Sequence, residues 1–300
     1  MPDKTLIVIA GPTAIGKTAL SIGIAKYFNC PILSADSRQF FKEMRIGTAK
    51  PSVEEMNDVP HHFIDSHSIN DDYNVGKYEA EAIDLLDELF KKNDVLILVG
   101  GSGLYIDAIC KGFDALPEAD QEIRNRIKTL FETQGIEGLQ KLLNELDHTY
   151  YNKVDLQNPQ RISRALEVCL TTGMSYTALR VGKIKPRNFK IIKIGLNTSR
   201  EVLYKRINKR VDEMMQNGLL EEVNKLRPFE QLNALQTVGY KELFDYLNNK
   251  TDLNTAIDSI KQNTRRFAKR QLTWFRRDEE IKWFEPTELN EIVSYINSKC

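Results

Sequence analysis

Three short apolar runs, each closed by glycine or a small polar cluster, set the framework of the chain. Thr5–Ala10 ends at Gly11, Pro31–Ala35 ends at Asp36, and Val95–Val99 ends at Gly100-Gly101. Near-continuous apolar runs of this length suit strands buried on both faces of a parallel sheet. Between them the apolar spacing turns helical. Thr18–Tyr27 reads as a helix, and Tyr78–Lys92 places Ala82, Leu85, Leu86, Leu89 and Phe90 along one side. Strand–helix alternation of this kind predicts a doubly wound α/β domain.

The texture changes at Asp114. Leu116-Pro117 makes a break, and the residues to about Arg180 are charged, helical and almost without strand character. Ile191–Leu196 then has strand character again, and helices are expected over Glu201–Asn217 and Ala256–Arg277. The economical reading is an α/β core formed by residues 1–113 and 188–300, with an α-helical insertion at 114–187. Internal repeats and low-complexity segments are absent from the sequence.

Composition adds exclusions. With 41% hydrophobic and 28% charged residues over 300 positions, this is an ordinary globular chain. No apolar run approaches the roughly 20 residues that span a bilayer. Met1-Pro2-Asp3-Lys4 leads straight into the first strand, so no signal peptide and a cytoplasmic location are expected. Cys30, Cys110, Cys169 and Cys300 are scattered and read as spectator thiols. His61, His62, His67 and His148 lack metal-ligand spacing and read as turn or packing residues.

Net charge is zero, yet it is not evenly spread. Residues 264–277 carry Arg265, Arg266, Lys269, Arg270, Arg276 and Arg277 with no acid, leaving a balance of −6 on the rest of the chain. A local basic face on a neutral body is what phosphate binding needs. Phe267, Trp274 and Phe275 interleave with these cations, either as a buried helix stripe or as stacking groups.

The sharpest motif is Gly11-Pro12-Thr13-Ala14-Ile15-Gly16-Lys17-Thr18, a complete G-x-x-x-x-G-K-[ST] between a predicted strand and a predicted helix. Such a phosphate loop arises by chance about once in a hundred chains of this length. Its amides and the helix N-terminus favour phosphate, Lys17 adds a charge, and the Thr18 hydroxyl can ligate Mg²⁺. Most such loops hold ATP or GTP, which keeps a nucleotide-binding kinase in view. Against it, Val95–Val99 ends in Gly100-Gly101-Ser102-Gly103, without the Asp that usually follows a metal-binding strand.

In a parallel sheet, residues beyond the C-terminal strand ends meet at one edge. That brings Asp36-Ser37-Arg38-Gln39 and Ser102 to the phosphate loop. Asp36 is a candidate proton acceptor, or a helix cap. Ser102 is a candidate hydrogen-bond partner for a polar substrate, or a turn residue. Arg210, in a helix with four basic residues in six, is either a second charge on the phosphates or part of a solvated face. Arg161 and Arg164 lie one turn apart after Asn158-Pro159 and suit either salt bridges or a ligand.

Taken in order, G-P-T-A-I-G-K-T (11–18), S-A-D-S-R-Q (34–39), I-G-T-A-K-P (46–51), V-P-H-H (59–62), G-G-S-G-L-Y (100–105), N-P-Q-R-I-S-R-A-L-E (158–167), V-G-Y (238–240) and R-F-A-K-R-Q-L-T-W-F-R (266–276) resemble the tRNA dimethylallyltransferase (isopentenyl-tRNA transferase) family in its shorter bacterial form, along essentially the whole chain. The resemblance implies a P-loop NTPase-like parallel sheet flanked by helices. It also implies transfer of a dimethylallyl group from dimethylallyl diphosphate to the N6 amine of the adenosine 3′ of the anticodon (position 37), with Mg²⁺. Residues 11–18 would then grip a diphosphate, Asp36 would be the general base, and Lys17, Thr18 and Arg210 would stabilise the leaving group. By the same resemblance Asp36, Ser37, Arg38, Gln39, Ser102, Arg124, Gln160, Arg161, Ile162, Ser163, Arg164 and the stretch Gln236, Thr237, Val238, Gly239, Tyr240 and Lys241 would touch tRNA, and the protein would act as a monomer. Two departures stand out: Ser102 replaces a frequent Thr, and Phe40-Phe41 follows Gln39 where a Tyr is often found. A kinase or a prenyltransferase of free AMP is the alternative.

Overall fold

The computed structural model describes residues 4–114, 116–118, 120–182 and 184–299. Met1–Asp3 and Cys300, both used in the sequence reading, lie outside the described residues. The chain forms two compact units, Met1–Cys110 with Arg187–Cys300, and Lys111–Pro186.

The first unit is built on β1 (Thr5–Ala10), every residue of which is buried. Ile7 and Ile9 turn to one face, while Leu6, Val8 and Ala10 turn to the other. Then follow α1 (Lys17–Phe28), β2 (Ile32–Ser34), α2 (Val53–Met56), β3 (His61–His62), α3 (Val75–Phe90), β4 (Val95–Gly100) and α4 (Gly103–Lys111). Ser52 and Glu55 form a reciprocal capping box on α2, and Asn74 caps α3.

The second unit contains α5 (Gln121–Leu146), α6 (His148–Tyr151), α7 (Pro159–Thr172) and α8 (Tyr176–Leu179). Asn158 caps α7 with Pro159 in its first turn, the pairing expected of a helix start. α5 breaks at Gly135, whose φ of 64° is non-helical. Ile127, Leu139, Leu143, Ile162, Ala165 and Leu166 form this unit's own core.

The chain re-enters the sheet as β5 (Lys190–Leu196) and continues through α9 (Arg200–Gln216), α10 (Leu219–Leu226), α11 (Tyr240–Leu247), α12 (Leu253–Phe275), β6 (Lys282–Phe284) and α13 (Leu289–Asn297). Arg187 secures the return. It donates to the carbonyls of Ala108 (2.7 Å) and Ile109 (2.7 Å) and pairs with Glu79 at 3.1 Å.

All six strands are parallel, in the order β3-β2-β4-β1-β5-β6. β1 runs in register with β4 from Thr5↔Val95 to Ala10↔Gly100, and with β5 from Thr5↔Lys190 to Ala10↔Gly195. Residues of α1, α9 and α13 cover the Ile7–Ile9 face, and those of α3 and α4 cover the Leu6–Val8 face. α12 contributes Ala268 to the first core and Phe275 to the second. The parallel α/β core expected from the apolar runs is therefore present. The histidines at 61–62 are an edge strand rather than a turn, and His61 Nδ1 lies 2.8 Å from the Val59 carbonyl. Among the described residues no helix is long and apolar enough to cross a membrane.

Candidate active site

The phosphate loop leaves β1 and enters α1 through two left-handed residues, Ala14 (φ 62°) and Gly16 (φ 108°). Glycine adopts that conformation freely, whereas an alanine there costs about 1–2 kcal/mol. Alternation of this kind turns successive amides toward a common anion. Gly16 gives α1 no side-chain cap, so the first-turn N–H groups lack a capping oxygen, as a phosphate site requires.

Lys17 folds back over the loop, its Nζ donating to the carbonyls of Gly11 (2.9 Å) and Pro12 (2.8 Å). Burial lowers its pKa from 10.5 to about 8; Asp36 opposes the shift and Arg210 adds to it. The side chain of Ile15 is fully buried in the core, which leaves its backbone for the loop's role. Its carbonyl accepts from Arg206 of α9 at 3.0 Å.

Asp36 follows β2. Its Oδ1 accepts the Arg38 N–H at 3.0 Å, a turn of the side chain onto its own backbone. No helix follows, so the helix-cap reading of Asp36 falls. A cavity of 600 Å³ has Asp36, Lys17, Thr18 and Arg210 on its wall. Gln39 lines it too, and its Nε2 donates to the carbonyls of Thr48 and Ala49, both at 3.2 Å. The basic residues of α9 divide their tasks. Arg210 faces the cavity, Arg206 holds the loop, and Lys209 pairs with Glu213.

Ser102 takes the turn-residue role that the sequence left open. Its Oγ accepts from the Ser37 N–H at 3.0 Å and donates to Ser37 Oγ at 3.1 Å, so it braces the Asp36 turn. Arg38 is also engaged, donating to the Asn233 carbonyl at 3.1 Å. Phe40 is fully buried among Phe63, Tyr73, Tyr78 and Tyr105. Tyr240 requires a correction. Its side chain is fully buried and its hydroxyl donates to Glu222 at 2.6 Å, so the side chain is held in packing and turned away from the surface. Of its neighbours, Gln236 and Lys241 are exposed, Thr237 and Val238 are half-buried, and Gly239 is buried.

Several supports escaped the sequence reading. Glu222 accepts the N–H groups of Arg45 (3.0 Å), Ile46 (2.7 Å) and Gly47 (3.0 Å), fixing one wall of the cavity. Lys50, with its side chain wholly buried, donates to Asp65 and to the Phe41 carbonyl. A strand-period or helix-period search finds neither, because both act on irregular backbone.

Within the second unit, Gln160 and Arg161 are exposed on the first turn of α7, with Ser163 half-buried behind them. Arg124 is half-buried on α5. Arg164 meets Glu167 (3.2 Å) and the Pro117 carbonyl (3.2 Å), the salt-bridge outcome. Ile162 is fully buried in that unit's core, so its side chain is corrected from RNA contact to packing.

On α12 and just beyond it, Arg266, Lys269, Arg270, Arg276 and Arg277 are exposed. Among the described residues none of the six cations makes an ion pair. Arg265 instead lies over the Tyr204 ring and donates to Asn208 at 2.7 Å. The three aromatics split. Phe275 is core, Trp274 donates to Asp107 at 2.9 Å, and Phe267 sits on the cavity wall with Arg270 over its ring.

Fold and site together define a P-loop α/β protein whose phosphate cradle shares one cavity with a carboxylate. Residues 39–278 match the family model described as IPP transferase. The chain is 55% identical to the tRNA dimethylallyltransferase of Flavobacterium johnsoniae, covering 98% of this chain and 97% of that one. It is 48% identical to tRNA dimethylallyltransferase 1 of Bacteroides fragilis, covering 99% of each. Among solved structures it resembles the full-length tRNA isopentenylpyrophosphate transferase of Bacillus halodurans (37% identity, TM-score 0.74, 99% and 96% covered). It also resembles a eukaryotic dimethylallyltransferase acting on tRNA (25% identity, TM-score 0.78, 99% and 77% covered). The chain belongs to the IPP transferase family, that of the tRNA dimethylallyltransferases. The family-model match begins at Gln39, so the cradle and Asp36 lie outside it and are covered by the full-length relatives.

Proposed function

We propose that this protein transfers a dimethylallyl group from dimethylallyl diphosphate to the N6 amine of the adenosine 3′ of a tRNA anticodon, releasing diphosphate. The observation that carries the proposal is the single cavity joining Lys17, Thr18 and Arg210 to Asp36 in a chain of this family. The allylic C–O bond breaks, and its electron pair leaves with the diphosphate. The adenine nitrogen forms the new C–N bond, and its proton passes to Asp36. Lys17, Arg210 and the loop amides meet the charge that grows on the leaving group, where fixed donors are most effective. Ile22, Ile46, Met214 and Phe267 on the same wall suit a five-carbon apolar tail.

Thr18 and the substrate's own phosphates would hold Mg²⁺. That fits a cation that keeps several waters and takes few protein ligands, and among the described residues no cluster of three or more His, Cys, Asp or Glu offers another site. When bound, Mg²⁺ supplies charge neutralisation at the diphosphate oxygens.

For tRNA we assign the exposed cations of α12, the turn at 36–39, the exposed part of 236–241 and, in the second unit, Gln160, Arg161, Ser163 and Arg124. Arg266→Glu combined with Arg270→Glu weakens tRNA binding, and the slope of log K against log salt becomes shallower by about 2, one per lost phosphate contact. Filter binding from 50 to 200 mM salt checks this; an unchanged slope places the RNA elsewhere. The overall proposal is tested by incubating the protein with undermodified tRNA, Mg²⁺ and labelled dimethylallyl diphosphate, or with ATP instead. Label entering tRNA supports it. Phosphate transfer from ATP replaces it with the kinase reading, and label entering free AMP alone with the free-nucleotide one.

A further inference from the structure

Gln271 is the only buried polar residue of α12 among the described residues, and both ends of its amide are used. Oε1 accepts the N–H of Thr13 in the phosphate loop at 2.9 Å. Nε2 donates to the carbonyl of Gly101 at 2.8 Å. The amide has one possible orientation here, since flipping it would set donor against donor and acceptor against acceptor. Gly101 opens the turn to Ser102, whose hydroxyl holds Ser37 beside Asp36. The contact at Gly101 is close: a Cβ there would lie 2.4 Å from Gln271 Nε2, so a glycine admits the amide. Gln271 also reaches the cavity wall. One side chain therefore spans the loop after β1 and the loop after β4, between the groups that hold the two substrates.

We propose that Gln271 is a positioning residue, setting the distance and orientation of the diphosphate cradle relative to the Asp36 turn. The proposal rests on the prenyl-transfer reading above. Displacing reacting groups by about 1 Å costs on the order of 100-fold in rate, so a clamp at this point acts on turnover before it acts on RNA affinity.

Two variants test it. Gln271→Met keeps length and flexibility but removes both hydrogen bonds. It is expected to fold, to lower kcat by about 30-fold, and to leave the KM for tRNA within about threefold. Gln271→Glu keeps the acceptor for Thr13 but presents a second oxygen to the Gly101 carbonyl. Protonating that carboxyl restores a donor, and its burial brings protonation within reach. The activity of this variant relative to the unaltered protein at the same pH therefore rises as pH falls from 8 toward 5.5, while that of Gln271→Met stays flat. A filler role alone would lower Tm and leave both kcat and the relative pH profile unmoved, and that result overturns the proposal. Binding of inorganic diphosphate, measured by calorimetry without tRNA, separates the two readings. Should the unaltered protein transfer nothing to tRNA, the prenyl-transfer reading fails. In that case a tenfold weaker diphosphate Kd in Gln271→Met still supports the clamp on the cradle, and an equal Kd refutes it. Where transfer to tRNA is seen, kcat and the relative pH profile decide.

Discussion

Asp36→Asn reduces transfer to tRNA by about 10²–10⁴-fold in kcat, the range of a positioned general base, while tRNA affinity stays within a fewfold. Asparagine keeps the oxygen that accepts the Arg38 N–H, so the turn survives and only the proton acceptor is lost. Truncation to alanine would confound the two. Single-turnover measurements with prebound tRNA isolate the chemical step; near-normal rates would remove Asp36 from the mechanism. The variant has a second effect. Asp36 supports the charge on Lys17, so its neutralisation lowers the Lys17 pKa further below about 8 and moves any lysine-linked loss of diphosphate binding to lower pH.

Lys17→Met is expected to cost about 10²–10³-fold in kcat/KM for dimethylallyl diphosphate, since it deletes a fixed cation where leaving-group charge develops. Lys17 also gives the site a pH dependence of defined sign. With a pKa of about 8 before ligand binds, the ammonium is present below that pH and is lost above it, and affinity for diphosphate falls in step. A bound polyanion favours the charged form, so above pH 8 binding draws a proton onto Lys17. Calorimetry at pH 8.5 in buffers of different ionisation heat measures that uptake. Lys17→Arg, whose charge is permanent, cancels the ligand's own titration in the comparison, and equal uptake in both proteins would contradict the assignment.

The core strands and the cradle were legible in the sequence because their causes are local. Leu6 to Ala10 is apolar without interruption, and the glycines, Lys17 and Thr18 act within eight residues. Asp36 could be placed near the cradle because parallel strands share one edge. What could not be read depends on pairs distant in the chain. Glu222 serves amides at 45–47, and Gln271 serves Thr13 and Gly101, and no short window contains both partners. Tyr240 and Ile162 entered the expected RNA contacts through the family resemblance, which carries whole strings of residues without regard to burial. Each belongs to a quoted motif, yet each is held by packing that only the folded chain displays. The strands β3 and β6, of two and three residues, are too short to show any period.

The pairing of Thr5 with Lys190 means that the central strand waits for a neighbour made much later. At about 5–20 residues per second, a ribosome needs roughly 10–40 s to deliver that neighbour after β1 has emerged. Throughout that interval a strand that is apolar from Leu6 to Ala10 has one open edge, the kind of surface that recruits other chains. Until that neighbour arrives the edge is open to pairing with other chains, and the cavity gains Arg210 and Gln271 only once α9 and α12 have been made.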